Sequence, residues 1–171
     1  LEPAESPLSD IEYPLTMTSG RLPYFHHGTL RNNAYLRELY PVPELWINPK
    51  TAAEYGISDK DWVKTSSRRG SVVFRALVTE GIAPGVVASE RFWNPEKMQD
   101  EKNPTGGWRE MNINVLTKKD GPYCPEVGSY TLRGFQVKVE KVDVPPEGIW
   151  YKPKDFEPWL PEYSENTEVV F

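Results

Sequence analysis

The sequence predicts a mainly β domain closed, or nearly closed, into a barrel. Three observations carry this. Seventeen prolines and twelve glycines in 171 residues break the chain into short segments and argue against a helical bundle. Six or seven short stretches between residues 13 and 142 read as strands, each bounded by turn residues. Only two short stretches carry helical spacing, and that mixture fits a barrel better than an open α/β sheet.

Taken in order, "YPLTMTS" (13–19) alternates and ends at Gly20 as a first strand. "TLRNNAYLRELY" (29–40) places Leu30, Ala34, Leu36 or Arg37, and Tyr40 near helical spacing, with Thr29 as N-cap and "PVP" as the stop. "ELWINP" (44–49) is a short strand. In "NPKTAAEYGI", Asn48 caps a helix, Pro49 takes its first position and Gly56 ends it. "SDKDWVKTSSRRG" is a tight turn and a strand, and "SVVFRALVTE" is a second strand paired with it across Arg69-Gly70 as a hairpin. "GIAPGVVASERF" is a proline-glycine turn followed by a strand. "YTLRGFQVKVEKV" (130–142) is the last strand, with Phe135, Val137 and Val139 on one face.

Flanking arms complete the organisation. Residues 1–12 form an acidic, proline-containing linker with four acids and no base. Residues 143–171 form an acidic, aromatic, proline-rich arm with seven acids and two lysines. It reads as an extended segment lying over a hydrophobic surface, either here or on a domain outside this sequence. Residues 13–142 hold 18 basic and 14 acidic residues, so a mildly basic core sits between acidic arms. That balance suits phosphate ligands but is too weak to call for nucleic acid. No apolar stretch reaches the roughly 18 residues of a membrane helix, so direct membrane insertion is not expected. The single Cys124 excludes a disulfide framework and a thiolate cluster.

The polar loop "TSGRLPYFHHGTLRN" concentrates chemistry. A metal site fits poorly, because adjacent His26 and His27 point to opposite sides of an extended chain and no second Cys exists. A Ser19–His dyad lacks any third group to fix it. An anion cradle fits better. Thr18, Ser19 and Gly20 end a strand, Arg21 offers a fork for phosphate oxygens, and Gly28 and Thr29 open the expected helix. His26 and His27 add donors or a stacking face. A strand-to-helix loop with self-satisfied polar groups explains the same residues equally well. A second stretch, "GGWREMNINVLTKKD" (106–120), has paired glycines for close backbone approach, and Asn112 and Asn114 suit a heterocycle edge. A turn capped by Asn is the alternative. Arg133 in "TLRGF" is a third candidate contact.

These stretches together, with "PELWINPKTAAEYGISDKDWVKTSSRRGSV", "NVLT" and "LRGFQVKVE", resemble the C-terminal dinucleotide-binding domain of molybdopterin oxidoreductases. This is the family of dimethyl sulfoxide reductase, formate dehydrogenase and polysulfide or thiosulfate reductase. The resemblance covers residues 13–142. Two departures stand out: Lys60 where relatives more often have Gly, and Cys124-Pro125 where many have Asp-Pro. It implies a double-psi β-barrel with short flanking helices. It further implies a domain that caps a bis-molybdopterin guanine dinucleotide carrying molybdenum or tungsten. The implied contacts are Thr18, Ser19, Gly20, Arg21, His26, His27, Gly28, Thr29, Gly107, Trp108, Asn114 and Arg133.

The resemblance implies no catalytic or metal-ligating residue in this chain. Cys124 is structural or incidental. The protein ligand to the metal and any iron–sulfur cluster belong to other domains of the same large subunit, with an iron–sulfur electron-transfer subunit as a further partner. Such enzymes serve bacterial anaerobic respiration in the cytoplasm or periplasm, and the signal that decides between the two would lie outside this sequence. A free-standing barrel that binds carbohydrate or a protein partner is the rival reading. A small acid–base enzyme using a His is a third.

Overall fold

A computed structural model describes residues 10–26, 29–30, 33–40, 42–90, 112–118, 123–128 and 133–143. The expectations for the arms 1–9 and 144–171, and for His27, Gly28, Gly107 and Trp108, lie outside the described residues.

Six strands close into a barrel: β1 (Leu15–Gly20), β2 (Glu44–Ile47), β3 (Trp62–Ser67), β4 (Gly70–Val78), β5 (Val86–Glu90) and β6 (Phe135–Val142). Their order around the barrel is β1-β5-β2-β4-β3-β6. The β1–β5 and β2–β4 pairs are parallel and the other four are antiparallel. Exchanging β1 with β4, β2 with β5 and β3 with β6 returns the same order and the same pair directions. The barrel is therefore two interlocked three-strand halves related by a pseudo-two-fold axis, which is the double-psi arrangement.

Strand alternation fills the interior. Met17, Leu45, Ile47, Val63, Ala76, Val87 and Val137 are fully buried, and Phe74 and Phe135 are nearly so. Each barrel end carries a short helical plug. Helix α1 (Ala34–Leu39) lies outside, where Leu36 packs on a satellite cluster of Leu22, Phe25 and Tyr40. Helix α2 (Pro49–Glu54) closes one end, with Ala52 and the following Ile57 in the core. Asn48 caps α2 by accepting from Lys50 N at 3.0 Å, and Gly56 ends it at φ +63°. A 3₁₀ helix (Ile113–Leu116) closes the opposite end, with Ile113 and Leu116 buried.

Three expected boundaries move. The first helix starts at Ala34, not after Thr29. Asn33 is its cap, with Oδ1 accepting from Leu36 N at 3.2 Å, and Leu30 at φ +68° breaks the chain between Thr29 and the helix. The β3–β4 turn is Arg68-Arg69, since Ser67 pairs with Gly70. The last strand begins at Phe135, because Gly134 at φ +74° bends the chain that enters it. Arg133 therefore sits in a bend ahead of the strand.

Candidate functional site

Strand direction gathers the candidates. β1, β3 and β5 end, and β2, β4 and β6 begin, at the same end of the barrel. That end collects Thr18, Ser19, Gly20 and Arg21 from the end of β1. Gly134 N donates to Met17 O at 2.9 Å, and Met17 pairs with Phe135. That bond ties the bend that holds Arg133 to the end of β1. The 3₁₀ helix that plugs this end carries Asn114 on its exposed side, while Arg21 and Arg133 are also exposed. Stretches far apart in sequence thus meet at one mouth.

The inner rim of this mouth is polar. Ser19 follows Met17 on the inward side of β1, and its register partner Ser89 follows Val87 on β5. Ser67 follows Thr65 on the inward side of β3. Ser67 Oγ donates to Leu116 O at 3.0 Å, and Ser89 Oγ donates to Glu90 O at 3.3 Å. Ser19 Oγ is buried and has no hydrogen-bond partner among the described residues. A buried hydroxyl without a partner costs stability unless something meets it. At the rim of this barrel end, a ligand oxygen or ring nitrogen can do so. The residues present, Ser19 together with the exposed Arg21 and Arg133, fit a polar ligand that carries negative charge.

The loop beyond β1 is less of a cradle than its sequence suggests. Both Thr29 donors turn back: its N–H donates to His26 O at 3.0 Å, and Oγ1 donates to the same carbonyl. Thr29 thus closes a tight turn and has no donor left for an anion. With the helix starting at Ala34, Thr29 is not at a helix N-terminus. His26 is exposed beside that turn. Cys124 is half-buried in a separate turn, where its thiol donates to Glu126 Oε2 at 2.9 Å. That bond holds the Glu126 carboxyl below its ordinary value.

Sequence reading missed the inward serines Ser67 and Ser89, and Arg69, at the same mouth. Arg69 Nε donates to Leu116 O at 2.8 Å, and its guanidinium lies 5.9 Å from the Phe135 ring centre. The only signal for the serines was their position two residues past an inward strand residue, Val87 for Ser89 and Thr65 for Ser67.

A closed double-psi barrel with a polar mouth fed by five separated segments is the architecture of a binding domain. Comparison gives the family. Residues 15–131 match the Molydopterin dinucleotide binding domain, and the chain belongs to that family. It is 38% identical over 131 residues to a dopamine dehydroxylase of Eggerthella lenta, covering 76% of this chain and 12% of that protein. It is 34% identical over 115 residues to a trimethylamine-N-oxide reductase of Haemophilus influenzae, covering 64% of this chain and 14% of that protein. The fold is shared with acetylene hydratase of Pelobacter acetylenicus, at a TM-score of 0.71 and 24% identity, over 83% of this chain and 21% of that one. This chain spans only a small part of each of these proteins.

Proposed function

We propose that this chain caps the pterin and guanine-dinucleotide parts of a bis-molybdopterin guanine dinucleotide within a larger molybdenum or tungsten oxidoreductase. The observation that carries the reading is the buried Ser19 Oγ, without a partner among the described residues, at the barrel end that also carries Thr18–Arg21, Arg133 and Asn114. When bound, the cofactor supplies a metal centre able to change oxidation state. The residues of this chain bind and orient it. Arg21 and Arg133 present guanidinium forks for phosphate oxygens, each contributing about 1.5–3 kcal/mol as a charge-assisted bond. Gly20 has no side chain between ligand and backbone, Thr18 and Ser19 offer hydroxyls, and Asn114 offers an amide to a heterocycle edge. His26 and His27 flank the loop; Thr29 shapes its turn. Gly28, Gly107 and Trp108 complete the proposed contact set.

On this reading the domain is residues 13–142, flanked by the acidic linker 1–12 and the acidic, aromatic arm 143–171. Those domains supply the protein ligand to the metal and, where present, an iron–sulfur cluster; a separate iron–sulfur protein delivers or removes electrons. The isolated chain is not catalytic on this reading. The test is the full-length protein produced anaerobically. Purified protein is expected to carry molybdenum or tungsten and to release an oxidised, fluorescent pterin on denaturation. Metal-free, pterin-free protein that is folded and active would overturn the reading.

A further inference from the structure

We propose that Arg69, with Ser67, is a positioning residue that holds the 3₁₀ helix over the barrel mouth and thereby sets Asn114 for its contact with the cofactor. The inference rests on the proposed function for the role of Asn114. Nothing about the pair's own geometry depends on it.

The Leu116 carbonyl is the last of the 3₁₀ helix. It accepts from Ser67 Oγ at 3.0 Å and from Arg69 Nε at 2.8 Å. Ser67 Oγ in turn accepts from Arg69 N at 3.1 Å, so the three groups form one connected network at the tip of the β3–β4 hairpin. Each donor is fixed by its own strand or turn, and one bond is charge-assisted. Beside it, Gly70 gives the helix room. A Cβ there would lie 2.4 Å from Val115 Cγ1 and 3.3 Å from Val115 O. Leu116 is fully buried in the barrel core and Ile113 nearly so. The helix is thus pinned from below by apolar anchors and at its end by two donors.

Arg69 is badly placed to touch a ligand itself. It is part-buried, its Nη2 atom is shut off from solvent, and its planar group lies near the Phe135 ring. Asn114, two residues before Leu116 in the same short helix, is exposed. Its backbone is also constrained: Asn112 Oδ1 accepts from Asn114 N at 2.9 Å, and Thr117 Oγ1 donates to Asn114 O at 2.9 Å. The side chain of Asn114 is left as the outward polar group of a segment whose backbone is held from both ends. A rigid support of this kind gives a binding contact its geometry in advance.

The test uses the full-length holoenzyme in four forms: unmodified, Arg69→Ala, Asn114→Ala and the double variant. The readout is the rate at which pterin leaves the folded protein, followed as released fluorescent pterin and as retained metal. Each single variant is expected to lose cofactor roughly tenfold faster, the scale of one charge-assisted or polar contact. The double variant is expected to lose it no faster than Asn114→Ala alone, because Arg69 acts through Asn114. Arg69→Lys, which keeps the charge but not the Nε donor, should fall between Arg69→Ala and the unmodified enzyme. If Arg69→Ala does not accumulate folded, Ser67→Ala replaces it under the same criteria. Two results overturn the inference while leaving the cofactor reading intact: Asn114→Ala loses cofactor but Arg69→Ala does not, or the two effects multiply in the double variant. An unchanged rate in Asn114→Ala removes the Asn114 contact and the inference with it.

Discussion

Two buried hydroxyls without partners among the described residues separate ligand chemistry from structural cost. Thr65 Oγ1 lies mid-barrel on the inward side of β3, fully buried. No opening reaches it, so its hydroxyl only weakens the fold. Thr65→Val keeps the shape and removes the unsatisfied group. It should raise stability by about 1 kcal/mol in a urea melt of the chain; a loss would mean that the hydroxyl has a partner. Ser19 differs because its hydroxyl stands at the mouth. Ser19→Ala should leave the unfolding midpoint of the cofactor-free chain unchanged or slightly raised, yet speed cofactor loss from the full-length protein. Lys60 makes a third residue-scale case. It sits at φ +68°, in the left-handed region that costs a non-glycine residue about 1–2 kcal/mol. Against this stands an exposed Lys60–Glu44 ion pair at 3.2 Å, which salt screens. Lys60→Gly should therefore stabilise the chain by about 0.5–1 kcal/mol at high salt and by less at low salt.

At the scale of elements, the plug of the polar mouth makes the tightest contact of a described glycine. Gly70 is required by the approach of Val115, not by its own backbone. Gly70→Ala must move a β-branched side chain and a carbonyl, and an overpacked contact of that kind costs about 1–3 kcal/mol. The expected result is a lower melting temperature and weaker protection of the 113–116 amides from hydrogen exchange, with the α2 end unaffected. Equal loss at both ends would show that the two plugs are not independent. The same elements show what was legible in the sequence. The α2 cap, its Pro49 start and Gly56 stop are local signals and stand as read. So do the inward Phe135, Val137 and Val139 of β6. The start of α1 was misread because Thr29 and Asn33 are both good caps. The choice between them is made by Leu30 in the left-handed region and by Thr29 bonding back to His26. Ser67 and Arg69 were read only as hairpin residues. Their partner, Leu116 O, lies 49 and 47 positions away, a contact that no local pattern encodes.

For the molecule as a whole, closing the barrel puts opposite charges together across distant segments, and that predicts a pH dependence. Asp61, just before β3, pairs with Lys141 on β6 at 2.8 Å and accepts from Ser58 N at 2.7 Å. Asp10, in the approach to β1, pairs with Arg68 at the β3–β4 tip, where the guanidinium also lies 4.8 Å from the Tyr13 ring centre. The Lys141 bond first, then the Ser58 amide, holds the Asp61 carboxyl below its ordinary 3.8. The Arg68 bond does the same for Asp10. A carboxyl lowered in the folded state binds its proton more readily once unfolded. Its stabilisation is complete above the unfolded value and is lost as pH falls through the lower folded one. The chain should hold a nearly constant urea midpoint from neutrality to about pH 5 and lose stability below about pH 4. Asp61→Asn should be less stable than the unmodified chain at about pH 6, and the gap should close as pH falls through the lowered value and the native carboxylate is protonated as well. Both carboxylates are partly open to solvent, so added salt should narrow the gap. A gap that persists undiminished in acid would place its origin in packing around residue 61, and the Asp61–Lys141 pair would then have no part in closing β3 onto β6.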